Sequence, residues 1–177
     1  MLILIGKSGS GKTTIREALV KDYGFKKAVS HTTRPMRADD VPGETYHFVT
    51  EDEFKRLLAD GEIVESTVAC YDGNYYGMSR AEMSNDSIAI FEVEGAKNAK
   101  TIHGITTVIV YLCTSTEERK RRLISRGDAI ERIEKRLISD EESFKEAEDI
   151  CNYIIPADKY TPDDIANCIA NIVSCEE

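Results

Sequence analysis

The chain opens with four consecutive apolar residues, Leu2-Ile3-Leu4-Ile5, that stop at Gly6. A short unbroken apolar run ending in glycine predicts a strand buried on both faces, and the pattern from Thr13 to Lys21 predicts a helix behind it. Apolar runs at Ile88-Ala89-Ile90-Phe91, at Val108-Ile109-Val110-Tyr111-Leu112 and, more weakly, at Tyr153-Ile154-Ile155 predict three further strands. Polar, helix-like stretches separate them. Ser115 or Thr116 is placed to cap a helix reaching about Arg126, where Gly127 stops it. A long helix follows over about 129–147, and Thr161-Pro162-Asp163 opens a last one with a cap and a proline in its first turn. Strands separated by helices predict a mainly parallel sheet covered on both faces, because a parallel crossover needs a long connection. The middle breaks the alternation: from Thr45 to Gly77 the chain is rich in Tyr, Val and Ile, with one short helix near 51–59, which predicts a small mixed-sheet lobe inserted in the parallel core.

No repeat, low-complexity tract or linker divides the 177 residues, so a single domain is expected. The balance of 41% hydrophobic and 31% charged residues fits a folded globular chain. The apolar opening is far short of the roughly 20 residues of a bilayer span and lacks the basic lead and cleavage site of a signal peptide, so neither membrane insertion nor export is expected. Cys70, Cys113, Cys151, Cys168 and Cys175 are odd in number and form no CxxC pair, which predicts reduced thiols rather than a disulfide framework or a zinc site. A net charge of -9 argues against a protein that coats nucleic acid. The arginines are nonetheless clustered, with Arg34 and Arg37 in one loop and Arg119, Arg121, Arg122, Arg126, Arg132 and Arg136 in one later stretch.

The strongest local signal is Gly6-Lys7-Ser8-Gly9-Ser10-Gly11-Lys12-Thr13, a GxxxxGK[ST] loop between a predicted strand and a predicted helix. Glycines there allow positive backbone dihedrals and close approach, so that successive N–H groups wrap a phosphate at the positive end of the helix. Lys12 would reach the outer phosphates and the Thr13 hydroxyl would ligate Mg2+, with Thr14 a further contact for ATP. A Gly/Ser turn that happens to hold a lysine would not need the strand before it and the helix after it. No NKxD stands in the chain to read the base of a GTPase.

Four blocks then follow in order: Val29-Ser30-His31-Thr32-Thr33-Arg34-Pro35-Met36-Arg37, Gly43-Glu44-Thr45-Tyr46-His47-Phe48-Val49, Glu62-Ile63-Val64-Glu65 and Gly73-Asn74-Tyr75-Tyr76-Gly77. Together with the phosphate loop they resemble the guanylate kinase family over nearly the whole chain. The resemblance implies an α/β fold: a P-loop core with a parallel sheet (1–30, 87–115 and 150–177), an inserted mixed-sheet GMP-binding lobe (31–86) and a helical lid (116–149). It implies Mg2+-dependent transfer of a phosphoryl group from ATP to GMP, with these small molecules as partners, no nucleic acid and no membrane, in a cytoplasmic monomer or homodimer. Ser30, Arg34, Arg37, Tyr46 and Tyr76 match the family's GMP-phosphate ligands. The chemistry is apt, since two arginines three apart fork onto a dianion and tyrosine hydroxyls add uncharged hydrogen bonds. Glu65 matches the glutamate that reads guanine, whose N1–H and exocyclic amine offer a carboxylate two donors that adenine lacks. His31 and His47 receive structural rather than catalytic roles.

Glu92 and Glu94 close a core strand at its carboxyl end, where ligands collect in open parallel sheets, and are matched to a family acidic pair that orients GMP or the Mg2+ water shell. Glutamates simply favoured at a helix start are the other reading. Arg122-Leu123, Arg126-Gly127 and Arg136-Leu137 resemble the family lid, with Arg126 and Arg136 closing on the ATP phosphates beside catalytic Lys12 and Arg34. Arg119, Arg121 and Arg132 are expected as helix-surface charges paired with Glu117, Glu118 and Glu131.

The chain departs from the family in four places. Met78 stands where Ser or Thr helps recognise guanine, so Ser79 is the candidate replacement. The turn through Val68-Ala69-Cys70-Tyr71-Asp72 is longer, and 79–87 leaves little room for the usual helix. The spacer after Glu94 is trimmed and both acids are Glu. Pro156 takes the place of an Asn near the adenine. Two other functions stay open here: a P-loop kinase for another nucleoside monophosphate or a ribose bisphosphate, and a non-catalytic guanylate-kinase-like module that binds proteins. Retention of Lys12, Thr13, Arg126 and Arg136 weighs against the module.

Overall fold

The computed structural model describes residues 1–69 and 73–176. Strand β1 (Leu2–Ile5) leads through the phosphate loop into α1 (Lys12–Tyr23), which ends at Gly24 in a left-handed conformation (φ 76°) that returns the chain to β2 (Lys26–Lys27). The inserted lobe contains β3 (His31–Thr32), β4 (His47–Phe48), α2 (Glu51–Ala59), β5 (Ile63–Val68) and β6 (Tyr75–Ser79). A single 3-10 turn at Arg80–Glu82 fills the short segment after it. The core resumes with β7 (Ser87–Ile90), α3 (Val93–Ala99) and β8 (Val108–Cys113). Helices α4 (Thr116–Ser125), α5 (Ile130–Ser143) and α6 (Ala147–Ile150) precede β9 (Tyr153–Pro156) and α7 (Pro162–Glu176).

The core sheet is parallel throughout in the order β2-β7-β1-β8-β9. Successive side chains of a strand point to opposite faces, so β1 divides its apolar run between two cores. Leu2 and Leu4 pack with Ile15 and Leu19 of α1 and Ile165 and Ile169 of α7. Ile3 and Ile5 pack on the other side with Ala96 of α3, Phe144 and Met78 of β6. The second sheet, ordered β4-β3-β6-β5, mixes one parallel pair with two antiparallel ones, as expected of the inserted lobe.

A bulge between Ile63 and Glu65 sets the orientation of that lobe. Ile63 joins Phe54 and Leu57 of α2 in a small separate core, whereas Glu65, which an unbroken strand would turn the same way, faces α3. The helix expected over about 129–147 is broken: α5 ends at Ser143, the ring of its buried cap residue Phe144 stacks on Tyr111 with centroids 6.1 Å apart, and α6 starts at Ala147. Strands β2, β3 and β4 have only two residues each, too few to leave a periodic signal.

Candidate active site

A cleft of about 650 Å³ lies between the phosphate loop, the inserted lobe and helix residues of α4 and α5. Ser8, Gly9, Ser10, Gly11, Lys12, Thr13 and Thr14 line it from the loop, with Ser30, Arg34, Arg37, Tyr46 and Tyr76 from the lobe. Gly9 and Gly11 take positive φ (80° and 96°), the conformation that aims consecutive amides into the loop. Gly6 works by closeness instead: a Cβ there would stand 2.5 Å from Ser10 Oγ and 2.9 Å from the Leu112 carbonyl oxygen. Lys12 Nζ donates to the carbonyl oxygens of Gly6 and Lys7. Desolvation draws its pKa below the ordinary lysine value, while the carboxylates of Glu92 and Asp140 pull it up. Lys7 and Gly6 do not line the cleft; Lys7 Nζ pairs with Glu141 at 2.6 Å.

In the inserted lobe, the Arg34 side chain is only 7% exposed and its Nη2 lies 2.9 Å from Asp40, whose side chain is 6% exposed. Its Nη1 donates to the Pro35 carbonyl oxygen at 2.8 Å, and its guanidinium sits 5.4 Å from the Tyr46 ring and 5.5 Å from the Phe48 ring. Asp40 also accepts the Arg37 amide at 2.7 Å, which closes the loop on itself. Burial raises the Asp40 carboxyl, but the Arg37 amide and the Arg34 guanidinium outweigh it and hold the pKa below the ordinary aspartate value. The histidines are structural: their rings lie 4.7 Å apart, and His47 Nε2 is 3.1 Å from Glu82, which also accepts the Val29 amide.

The cleft continues into a smaller cavity of about 80 Å³ whose lining includes Ser30, Tyr46, Tyr76 and Glu92, which it shares, and Glu65 and Thr67, which it does not. Glu65 is 4% exposed and its Oε1 has no hydrogen-bond partner among the described residues. Burial pushes its pKa up to about 7. Gly95 makes the room, since a Cβ there would stand 2.6 Å from Glu65 Oε1. Met78 is fully buried in the core and leaves this cavity's lining without a side chain from that position.

Ser79 does not replace it. Ser79 pairs with Ile63 and, in phase with Tyr75, belongs to the face turned to α2, away from the cavity. Glu94 is also outside: it is exposed in the first turn of α3, 2.7 Å from Lys97, and lines neither the cleft nor the small cavity. Glu92, at the N-cap position of α3 with no capping bond from its side chain, lines both. The turn expected to be long contains Cys70, Tyr71 and Asp72, which lie outside the described residues; the other four cysteines are free thiols.

From α4, its C-terminal cap and α5, Arg122, Arg126 and Arg136 line the cleft. Arg126 pairs with Asp128, and Arg136 Nη1 is 3.8 Å from the same carboxylate. Arg122, not chosen from sequence although its Arg-Leu signal was visible, directs Nη1 at the carbonyl oxygens of Gly9 (3.4 Å) and Ser10 (3.3 Å). Arg121 pairs with Glu118 on the surface as expected. Arg132 forms no ion pair with Glu131 and instead lines a basic recess of about 480 Å³ with Arg34, Arg37, Lys135 and Arg136.

Arg119 corrects the expectation of a surface charge: it is 1% exposed and its Nη1 donates to Asp140 Oδ2 at 3.1 Å. Asp140 in turn accepts the Ser8 amide at 2.7 Å, so the first half of the phosphate loop is fastened to α5 through a buried ion pair. Gly9 belongs to the same packing, since a Cβ there would meet the Arg119 carbonyl oxygen at 2.8 Å.

Among the described residues, no three His, Cys, Asp or Glu side chains converge as metal ligands, and no helix is long and apolar enough to cross a membrane. The Thr13 hydroxyl is exposed to the cleft beside Lys12, a donor set that fits Mg2+ carried mainly by nucleotide phosphates and water.

The guanylate kinase family profile matches residues 1–174. The guanylate kinase of Nostoc sp. is 36% identical over 166 residues, spanning 89% of this chain and 82% of that protein. That of Clostridioides difficile is 34% identical over 185 residues, spanning 100% of this chain and 88% of the relative. Among solved structures, guanylate kinase from Anaplasma phagocytophilum superposes with a TM-score of 0.73 at 26% identity, covering 99% of this chain and 85% of that one. Sequence matches from the first strand to the last helix, on a fold that places the phosphate loop and the acceptor lobe across one cleft, establish that this chain belongs to the guanylate kinase family.

Proposed function

We propose that the chain transfers the terminal phosphoryl group of ATP to GMP, giving ADP and GDP. The observation that carries the reading is the buried Glu65 carboxylate at the closed end of the cleft whose other end is the phosphate loop. A carboxylate without a partner there is matched by the N1–H and 2-amino donors of guanine.

In this reading the loop amides and Lys12 hold the β- and γ-phosphates of ATP. Arg34 and Arg37, with Ser30, Tyr46 and Tyr76, hold the GMP phosphate; Arg34 is already immobilised by Asp40, so little of its motion remains to be lost on binding. A phosphate oxygen of GMP attacks the γ-phosphorus as the bond to the β–γ bridging oxygen breaks, and the bonding pair leaves with ADP. The nucleophile is already ionised, so no side chain needs to remove a proton. Helices α4 and α5 act as the lid, with Arg122, Arg126 and Arg136 supplying positive charge to the transferring group and excluding water as they close. The Thr13 hydroxyl, with nucleotide phosphates and water, would hold Mg2+, which would supply neutralising charge to the transferring group.

Phosphorus NMR of the protein with Mg-ATP and GMP tests the reading: ADP and GDP resonances should grow at equal rates. Loss of ATP without GDP would reduce the protein to an ATPase, and no change would remove the enzyme reading.

A further inference from the structure

The base-reading end of the cleft lacks a side chain from position 78, yet it does not lack a hydroxyl. Glu65 and Thr67 are two apart on β5, beyond the bulge, and therefore on one face. Thr67 pairs with Tyr76, which lines the cavity, and this fixes that face as the one turned to it; Met78, opposite Glu65 on the same face, is buried in the core. Ser30, Tyr46 and Tyr76 also line the phosphate-loop cleft, whereas Glu65 and Thr67 line the small cavity and not that cleft; Thr67 also borders a neighbouring recess shared with Glu92 and α5. Thr67 is half-buried, and among the described residues its hydroxyl has no hydrogen-bond partner. Ser66, the nearer hydroxyl in sequence, lies on the opposite face, so on the face of Glu65 the closest uncharged donor along the strand is Thr67.

We propose that Thr67 is the specificity-determining hydroxyl of the acceptor site, donating to the 6-oxygen of guanine while Glu65 accepts from N1–H and the 2-amino group. The proposal rests on the GMP reading above. The 6-oxygen, N1–H and 2-amino groups follow one another along a single purine edge, and two residues of strand advance roughly 7 Å, so a carboxylate and a hydroxyl in this relation share one edge between them. Adenine would meet both groups differently: Thr67 could rotate to accept from its 6-amine, but its bare N1 would face the Glu65 carboxylate. Glu65 thus rejects adenine, and Thr67 selects for a good acceptor at position 6.

The test is a substrate cycle measured on wild type, Thr67→Val and Thr67→Ser, with GMP, IMP and 6-thio-GMP as acceptors. All three nucleotides keep N1–H; IMP lacks the 2-amino group, and the sulfur of 6-thio-GMP is a poor acceptor. Thr67→Val should lower kcat/KM for GMP about tenfold and for 6-thio-GMP far less, while the GMP-to-IMP ratio and the KM for ATP hold; Thr67→Ser should restore the GMP value. Thr67→Val acting equally on GMP and 6-thio-GMP, or on neither, overturns the role of Thr67. Absence of GDP formation by the wild type would instead remove the underlying reading, so the two failures are distinct.

Discussion

The carboxylate of Glu65 lies against Gly95 so closely that a methyl group on the glycine would stand 2.6 Å from Oε1. Glu65 sits on a strand of the inserted lobe and Gly95 in the first helix turns after a core strand, so this contact joins the two halves of the site. Gly95→Ala is expected to push the carboxylate out of place and raise the KM for GMP at least about tenfold with little change for ATP. Alanine is the better helix former by about 1 kcal/mol, so any loss belongs to the clash and not to the helix. Steady-state kinetics with each substrate varied in turn would check it, and an unaltered GMP KM would contradict the placement of Glu65.

Burial of Glu65 has a second consequence. Its folded-state pKa of about 7 is above the ordinary 4.5, so between those values the folded chain holds a proton that the unfolded chain releases. Stability from this group is therefore present below pH 4.5 and falls as pH rises toward 7, a loss of roughly 3 kcal/mol by order of magnitude. Glu65→Gln should be more stable than wild type in urea at pH 8, with the difference shrinking toward pH 5, while GMP binding is lost. Wild-type GMP affinity should weaken as pH drops below 7, because the protonated acid has given up an acceptor.

Arg34 and Asp40 form a buried pair whose purpose in this account is to aim the guanidinium. Asp40→Asn keeps an oxygen for the Arg37 amide but releases the charge-assisted contact to Arg34, and is expected to raise the GMP KM about tenfold while leaving the ATP KM unchanged. An equal effect on both substrates, seen in the same kinetics, would assign Asp40 to general folding instead.

The pair Arg119 and Asp140 makes a different forecast. Removing one partner, as in Asp140→Ala, leaves the buried guanidinium with only the exposed Glu141 carboxylate, 3.1 Å from Nη2, and strips the Ser8 amide of its acceptor, and should cost about 3 kcal/mol in urea unfolding. Replacing both with apolar residues, Arg119→Met with Asp140→Leu, should recover the part of that loss due to the broken ion pair but not the part due to the Ser8 amide. If the single and double variants are equally destabilised, the pair is held by more than its own charge balance.

The phosphate loop and the principal strands were legible because each is a contiguous signal, a spelled motif or an unbroken apolar run. Arg34 was legible for the same reason, being held within a tight block. Arg119 was not, since the carboxylate that buries it comes 21 residues later on another helix, and i to i+4 neighbours offered a nearer partner. Ser79 was misplaced because proximity in sequence to Met78 says nothing about strand parity, and Thr67 was missed because its neighbour Tyr76 arrives only through β5–β6 pairing. Met78 itself became clear once its burial was seen: a thioether there contributes roughly 1.5–3 kcal/mol to the core, a use that competes with a polar side chain for the same position.

The central claim is that this cleft phosphorylates GMP and reads its base through Glu65. The direct measurement is kcat/KM for ADP formation from Mg-ATP with GMP, dGMP, AMP, UMP and ribose 1,5-bisphosphate as acceptors, using wild type, Glu65→Gln and Lys12→Ala. Wild type should prefer GMP over AMP by at least about a hundredfold, Glu65→Gln should narrow that gap, and Lys12→Ala should abolish turnover. Equal turnover of AMP and GMP by the wild type, or turnover of none of the nucleoside monophosphates, would contradict the account.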